Sequence, residues 1–233
     1  MLSKPLNRRV VERARTQNDR GQIWLNVASS FEVLPDYVNL DNGLFYRLEP
    51  LIPALRYAFK AERVQAMEQF RAAKRRAPVL LHDCRQRLPF PPESVDHILC
   101  SHFLEHVYPD EAARILEDFR RVLRPDGTLH VIVPNLDYIV RDYVAGNSGA
   151  DALLQSTILS SPHRPTFMFR FLEFLGFEGL KHRWMYDQKS ISERVSAAGF
   201  SLVDLSDVPS RSIRAEDGSQ SIHVSAKKRA LDS

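Results

Sequence analysis

The sequence predicts an α/β fold built on a mostly parallel sheet, and three observations carry that reading. Short β-prone runs recur along the chain, several close on an acid or a small polar residue, and a strongly periodic helix stands between two of them. Strand, helix, strand in that order signals right-handed crossovers and a parallel sheet.

Taken in chain order, Ile23-Trp24-Leu25-Asn26-Val27 and Tyr37-Val38-Asn39-Leu40-Asp41 predict the first two strands. Ala61 to Arg76 places Val64, Met67 and Phe70 at helical spacing after a Pro-containing loop. Val79-Leu80-Leu81-His82-Asp83 and Val95 to Cys100 predict strands three and four. Between Asp110 and Leu123, the apolar positions Ala112, Ile115, Leu116, Phe119, Val122 and Leu123 recur at three and four, and Pro125-Asp126-Gly127 stops the pattern. Thr128 to Val133 predicts a fifth strand. Residues 137–182 are expected to form a helical, aromatic insertion. Ser190 to Ala198 predicts a helix ended by Gly199, with Phe200–Leu205 and Ser221–Ala226 as final strands closing one sheet edge. The expected organisation is a basic arm over 1–20, one domain over 21–227 and a loose tail over 228–233.

With 233 residues, 44% of them apolar and 26% charged, the chain has the composition of one globular domain. No apolar run reaches the ~20 residues a membrane-spanning helix needs, and the N-terminus has no secretory pattern, so a cytoplasmic location is expected. Cys84 and Cys100 are the only cysteines; by themselves they make neither a disulfide framework nor a four-ligand zinc site, no close Cys/His pairing supplies the rest, and no structural metal is expected. The net charge of +3 is concentrated in Lys4, Arg8, Arg9, Arg13, Arg15 and Arg20, without interleaved aromatics. That pattern reads as a solvated helix face, and nucleic acid is not an expected partner.

In an open parallel sheet, ligands sit beyond the carboxyl ends of the strands. Those ends here are Ala28-Ser29-Ser30, Asp41, Asp83 with Cys84, and Ser101-His102. An acid after the second strand suits a ribose, because its two oxygens can accept from vicinal hydroxyls, and Asp41 fits that role. Asp83 is placed to accept from an exocyclic purine amine. No G-x-G-x-x-G follows the first strand, which argues against a nicotinamide enzyme.

The ordered set of motifs resembles the class I S-adenosylmethionine-dependent methyltransferases, particularly the type 11 group. It comprises Leu25-Asn26-Val27 with Leu34 to Asp41, then Asp83 with Leu88-Pro89-Phe90, Ser101 to His106, Arg121 to Gly127, His182 to Asp187, and Ala198-Gly199-Phe200. The resemblance implies a Rossmann-like, seven-stranded sheet with a reversed last strand and helices on both faces. It implies S-adenosylmethionine as cofactor, with Asn26, Ala28, Ser29, Ser30, Asp41, Asp83, Cys84 and Ser101 as its candidate contacts. The expected acceptor is a small molecule, glycan or lipid precursor. Methyl transfer from a sulfonium needs mainly alignment, and a base only where the acceptor holds its proton. His102 and His106 are the candidate bases, with His182 a third choice.

One position departs from the pattern. The family's first loop reads Gly-x-Gly, whereas this chain has Ala28 and Ser30, and a left-handed conformation costs such residues about 1–2 kcal/mol each. Restoring glycine is therefore expected to tighten cofactor binding. The alternative is a non-catalytic methyltransferase-like module acting through a protein or sugar-bearing partner.

Overall fold

The computed structural model of the chain describes residues 21–30, 32–42, 79–157, 181–204 and 218–229, together with isolated positions between them. The basic arm, the aromatic stripe Phe167–Phe177 and most of the helix expected over 61–76 lie outside the described residues. Gln65, Glu68, Arg71, Ala72 and Arg75 of that helix are described, and they are helical.

The sheet contains β1 (Trp24–Val27), β2 (Val38–Asp41), β3 (Val79–Leu81), β4 (Val95–Ser101), β5 (Leu123–Pro134), β6 (Phe200–Val203) and β7 (Ser221–Lys228). Their spatial order is β3-β2-β1-β4-β5-β7-β6. The β1–β2, β1–β4, β2–β3 and β4–β5 pairs are parallel, while β7 runs antiparallel to both β5 and β6. The reversed last strand is thus present, inserted beside β5 rather than at the outer edge. β1 and β2 are buried at every position, and a continuous apolar core extends from Leu25 and Ile98 to Val131 and Val224.

Helix α1 (Pro109–Val122) buries Ala112, Ile115, Leu116, Phe119 and Val122, the face its periodicity predicts. Pro109 suits the first helical position, and the Glu111 carboxylate accepts from the Tyr108 N–H at 3.0 Å. The helix stops at Val122 and the chain enters β5 directly at Leu123, five residues earlier than the sequence predicts. Pro125-Asp126-Gly127 lies inside that strand as an irregularity, with Asp126 at φ 61° and a register shift against β4 between Val95 and His97. The residues that end the helix therefore also begin the strand.

Two separated motifs meet on α1. The Arg121 guanidinium donates to the Leu88 and Phe90 carbonyls at 2.9 and 2.8 Å and to the Asp118 carboxylate at 2.6 Å. Asp118 in turn accepts the Leu88 N–H at 2.6 Å. This fixes the segment that follows β3.

Helices α2 (Leu136–Val144) and α3 (Ala150–Thr157) occupy the start of the expected insertion, and α4 (Gln188–Ala197) precedes β6. Gly199 ends α4 at φ 88°, a conformation that favours glycine, and a β-carbon there would meet the Arg120 side chain at 2.5 Å, which would have to shift.

Two histidines are buried within the sheet. His97 on β4 hydrogen-bonds Thr128 Oγ1 at 2.7 Å and packs edge-on against Trp24 and Tyr37. Burial, with help from the neighbouring His130, pushes His97 down to about 3. Burial beside His223 pushes His130 down to about 4. Because both rings hold a proton less tightly when folded, the unfolded chain takes up protons first as pH falls below 6.5, and stability declines from there toward those values. Urea unfolding at about pH 5 is expected to give a stability roughly 2–4 kcal/mol below that at about pH 7.5 from this pair. Equal stabilities at the two pH values would contradict the burial of neutral rings.

Candidate functional site

The strand order reverses direction at β1, which lies between β2 and β4, so the loops leaving β1 and β4 diverge and open a crevice at the carboxyl ends. Val27 is in register with Leu40 on one side and Cys100 on the other. The next residues, Ala28, Asp41 and Ser101, therefore emerge side by side.

Ala28 and Ser30 both adopt left-handed backbone, at φ 53° and 44°. The loop thus takes the conformation for which the family uses glycine. Two hydrogen bonds hold it: the Ser29 N–H donates to the Leu40 carbonyl at 3.0 Å, and the Ser30 N–H donates to Asp41 Oδ2 at 2.8 Å. Since the strain is built into the folded loop, glycine at 28 and 30 should relieve it in the fold itself. The expected readout accordingly moves from affinity to stability. The double replacement is predicted to raise unfolding free energy by about 1 kcal/mol, after the extra unfolded-state entropy of glycine is subtracted. A lowered stability in a thermal melt would contradict this reading of the loop.

Support for the loop comes from a residue to which the sequence analysis assigned no role. Asn39 is fully buried on β2. Its Oδ1 accepts from the Leu34 N–H at 2.9 Å and from Asn26 Nδ2 at 3.0 Å, while its Nδ2 donates to the Leu34 and Tyr37 carbonyls at 2.9 and 3.1 Å. Asn26 Nδ2 also donates to the Glu32 carbonyl at 2.6 Å. Asn26, expected as a cofactor contact, is turned toward the β1–β2 connection and braces it. An Asn inside an apolar strand was the available signal for Asn39.

Asp83 lies two residues beyond the end of β3, in a turn. Burial works to raise its pKa, but the hydrogen bonds and charge of Arg85 outweigh that and hold it below the usual carboxylate range. Arg85 grips both carboxylate oxygens, at 3.0 and 2.9 Å. An adenine amine would share these oxygens with Arg85. Cys84 is buried, with its thiol toward the Leu40 and His82 carbonyls, and burial pushes that thiol far up, so it is no nucleophile.

At the end of β4, His102 takes a left-handed φ of 50°. Its Nδ1 lies 3.2 Å from Glu105 Oε1 and its Nε2 lies 3.5 Å from Ser221 Oγ on β7. A short 3-10 turn, Leu104–His106, follows. Glu105 is fully buried, and its carbonyl accepts from the Arg183 and Trp184 N–H groups at 2.6 and 3.1 Å, tying the segment after residue 181 to this turn. His106 and His182, the other two histidines singled out from the sequence, stack edge-on with ring centroids 5.0 Å apart. Glu105 was part of a recognised motif but was given no role; its spacing of three from His102 was the available signal.

The donor set fits a nucleoside carrying an amino acid. Ser29 Oγ and Ser101 Oγ are buried hydroxyls with no partner at the adjacent ends of β1 and β4, and Asp41 stands at the end of β2 on the other side of Ser29. Such orphaned groups are costly unless a ligand satisfies them.

Residues 58–131 match the family model described as a methyltransferase domain. No curated protein matches the chain. Among solved structures, a SAM-dependent methyltransferase from Methanosarcina mazei superposes with a TM-score of 0.51 at 13% identity, over 97% of this chain and 100% of that one. The PH0226 protein from Pyrococcus horikoshii gives a TM-score of 0.50 at 13% identity, over 88% and 81% of the two chains. At such identities the likeness is one of fold. The match over residues 58–131 and the sheet order together support a class I S-adenosylmethionine-dependent methyltransferase, and with it S-adenosylmethionine as the cofactor.

Proposed function

We propose that the chain transfers the methyl group of S-adenosylmethionine to a small-molecule, glycan or lipid-precursor acceptor in the cytoplasm. The observation that carries this reading is the first loop: without glycine, it is nevertheless folded left-handed and anchored on Asp41. A loop that had closed over its site would have no reason to keep that strain.

S-adenosylmethionine supplies a methyl already activated by its sulfonium. The chain's own residues bind and orient. Asp41 accepts from the ribose hydroxyls, Asp83 and the backbone at Cys84 meet the base, and Ala28, Ser29, Ser30 and Ser101 surround the amino-acid portion. His102 is the group best placed to take a proton from an acceptor hydroxyl or amine. The buried Glu105 carboxylate accepts a hydrogen bond from its Nδ1–H, which fixes the ring and leaves the basic lone pair on Nε2, beside Ser221 Oγ at 3.5 Å. His106 and His182 hold their Nδ1 atoms against backbone carbonyls and stack on each other, and they are assigned a supporting place beside His102.

The acceptor pocket is assigned to the segment from 137 to 182. Helix α2 begins where β5 ends, at the same edge of the sheet as the crevice, and exposes Tyr138, Val140, Tyr143 and Val144. An acceptor with an apolar portion suits that face. Among the described residues no helix is long and apolar enough to cross a membrane, so such an acceptor would be met from outside the bilayer core.

The test is formation of S-adenosylhomocysteine from S-adenosylmethionine across a panel of hydroxylated and aminated small molecules, sugars and lipid precursors. Turnover with at least one class, lost in His102→Gln, is the expected result. Tight cofactor binding with no turnover on any class would favour the non-catalytic reading.

A further inference from the structure

We propose that Glu105, His106 and His182 form a binding site for one divalent transition-metal ion at the carboxyl end of β4. One potential donor atom from each of the three lies within 4.8 Å of the other two, and no other such group occurs among the described residues. No structural metal is expected from the sequence, in which two cysteines stand without a close Cys/His pairing. The ligands here come instead from a 3-10 turn and from a segment 76 residues downstream that the Glu105 carbonyl clamps in place.

The chemistry of each ligand supports the assignment. His106 Nδ1 is 3.1 Å from the Lys181 carbonyl and His182 Nδ1 is 2.8 Å from the Thr157 carbonyl. A carbonyl only accepts, so each Nδ1 carries the proton and each neutral ring keeps its lone pair on Nε2. This is the outer-shell arrangement that orients metal-binding histidines.

Independent support comes from Glu105. Its side chain is fully buried; Oε1 meets His102, but Oε2 is buried with no hydrogen-bond partner at all. A buried carboxylate oxygen without a donor, on a carboxylate grouped within 4.8 Å of two imidazoles, is unfavourable unless a cation completes the group. Two imidazoles and one carboxylate suit zinc, iron(II) or cobalt(II) in preference to magnesium or calcium, which favour all-oxygen sites. Three protein ligands also leave a position open for a water or an acceptor oxygen, whose acidity the ion would raise. That role toward a hydroxyl acceptor rests on the methyl-transfer reading; the metal site itself does not.

Cobalt(II) titration of the chelator-stripped full chain, followed by visible absorption, tests the site. One equivalent is expected to produce d–d bands that zinc abolishes, together with a rise in melting temperature. Glu105→Gln, His106→Ala and His182→Ala should each weaken binding on the order of 100-fold or more, whereas His223→Ala should leave it unchanged. The conservative Glu105→Gln change and the unmodified protein keep the test informative should an alanine variant fold poorly. Absence of stoichiometric cobalt or zinc binding by the unmodified protein, or undiminished binding in the three variants, overturns the proposal. Calorimetry with S-adenosylhomocysteine on the same metal-free protein reports separately on the cofactor site.

Discussion

Asp41→Ala is expected to weaken S-adenosylmethionine binding on the order of 100-fold, because hydrogen bonds to a charged group contribute about 1.5–3 kcal/mol. Two effects combine at this position. The carboxylate is the acceptor assigned to the ribose hydroxyls, and it also anchors the Ser30 N–H that closes the first loop. Asp41→Asn separates them: an amide oxygen can still accept from Ser30, so the loop should persist while affinity falls by a smaller factor. Burial adds weight to the prediction, since Asp41 is only 9% exposed and its carboxylate has little water to fall back on. Binding of the alanine variant within about threefold of the parent, in a protein whose circular dichroism is unchanged, would remove Asp41 from the site.

The second large effect is on stability. Asn39→Ala removes four hydrogen bonds in a fully buried position and leaves the Leu34 amide and the Leu34 and Tyr37 carbonyls to find new partners. Each buried group left unsatisfied costs about 1–3 kcal/mol, and some recover partners by local relaxation, so a net loss of about 3 kcal/mol is expected. For a chain of this size that is a fall of about 10 °C in melting temperature. Since Asn39 also holds Asn26 and the connection from β1 to β2, cofactor affinity should fall with it even at temperatures where the variant is folded. A loss below about 1 kcal/mol in denaturant unfolding would mean that the network is not what holds this connection.

The sheet was largely readable from the sequence because its signals are local. The buried runs at Leu25, Leu40 and Ile98 announce strands, and the Ala112–Val122 face of α1 follows directly from its spacing. The start of β5 was misplaced because Pro125-Asp126-Gly127 is locally a stop signal, while pairing with β4 decides where the strand begins.

Site residues divide in the same way. Asp41 and Ser101 follow from strand ends, and the structure brings both beside Ala28. Asn26 was assigned outward to a ligand, but its hydrogen bonds run inward, which depends on Asn39 thirteen residues away. The grouping of Glu105 with His182 was not visible, because the hydrogen bonds from Arg183 and Trp184 that create it join segments far apart in the chain. The sequence also could not show that Arg85 grips Asp83, a side-chain choice made within one turn.

The account rests on a cofactor site whose loop is left-handed without glycine, and titration calorimetry of the full chain with S-adenosylhomocysteine tests it most directly. A single site with micromolar affinity, weakened on the order of 100-fold in Asp41→Ala, is the predicted result. No detectable heat at millimolar ligand, from a protein that melts cooperatively, would contradict it.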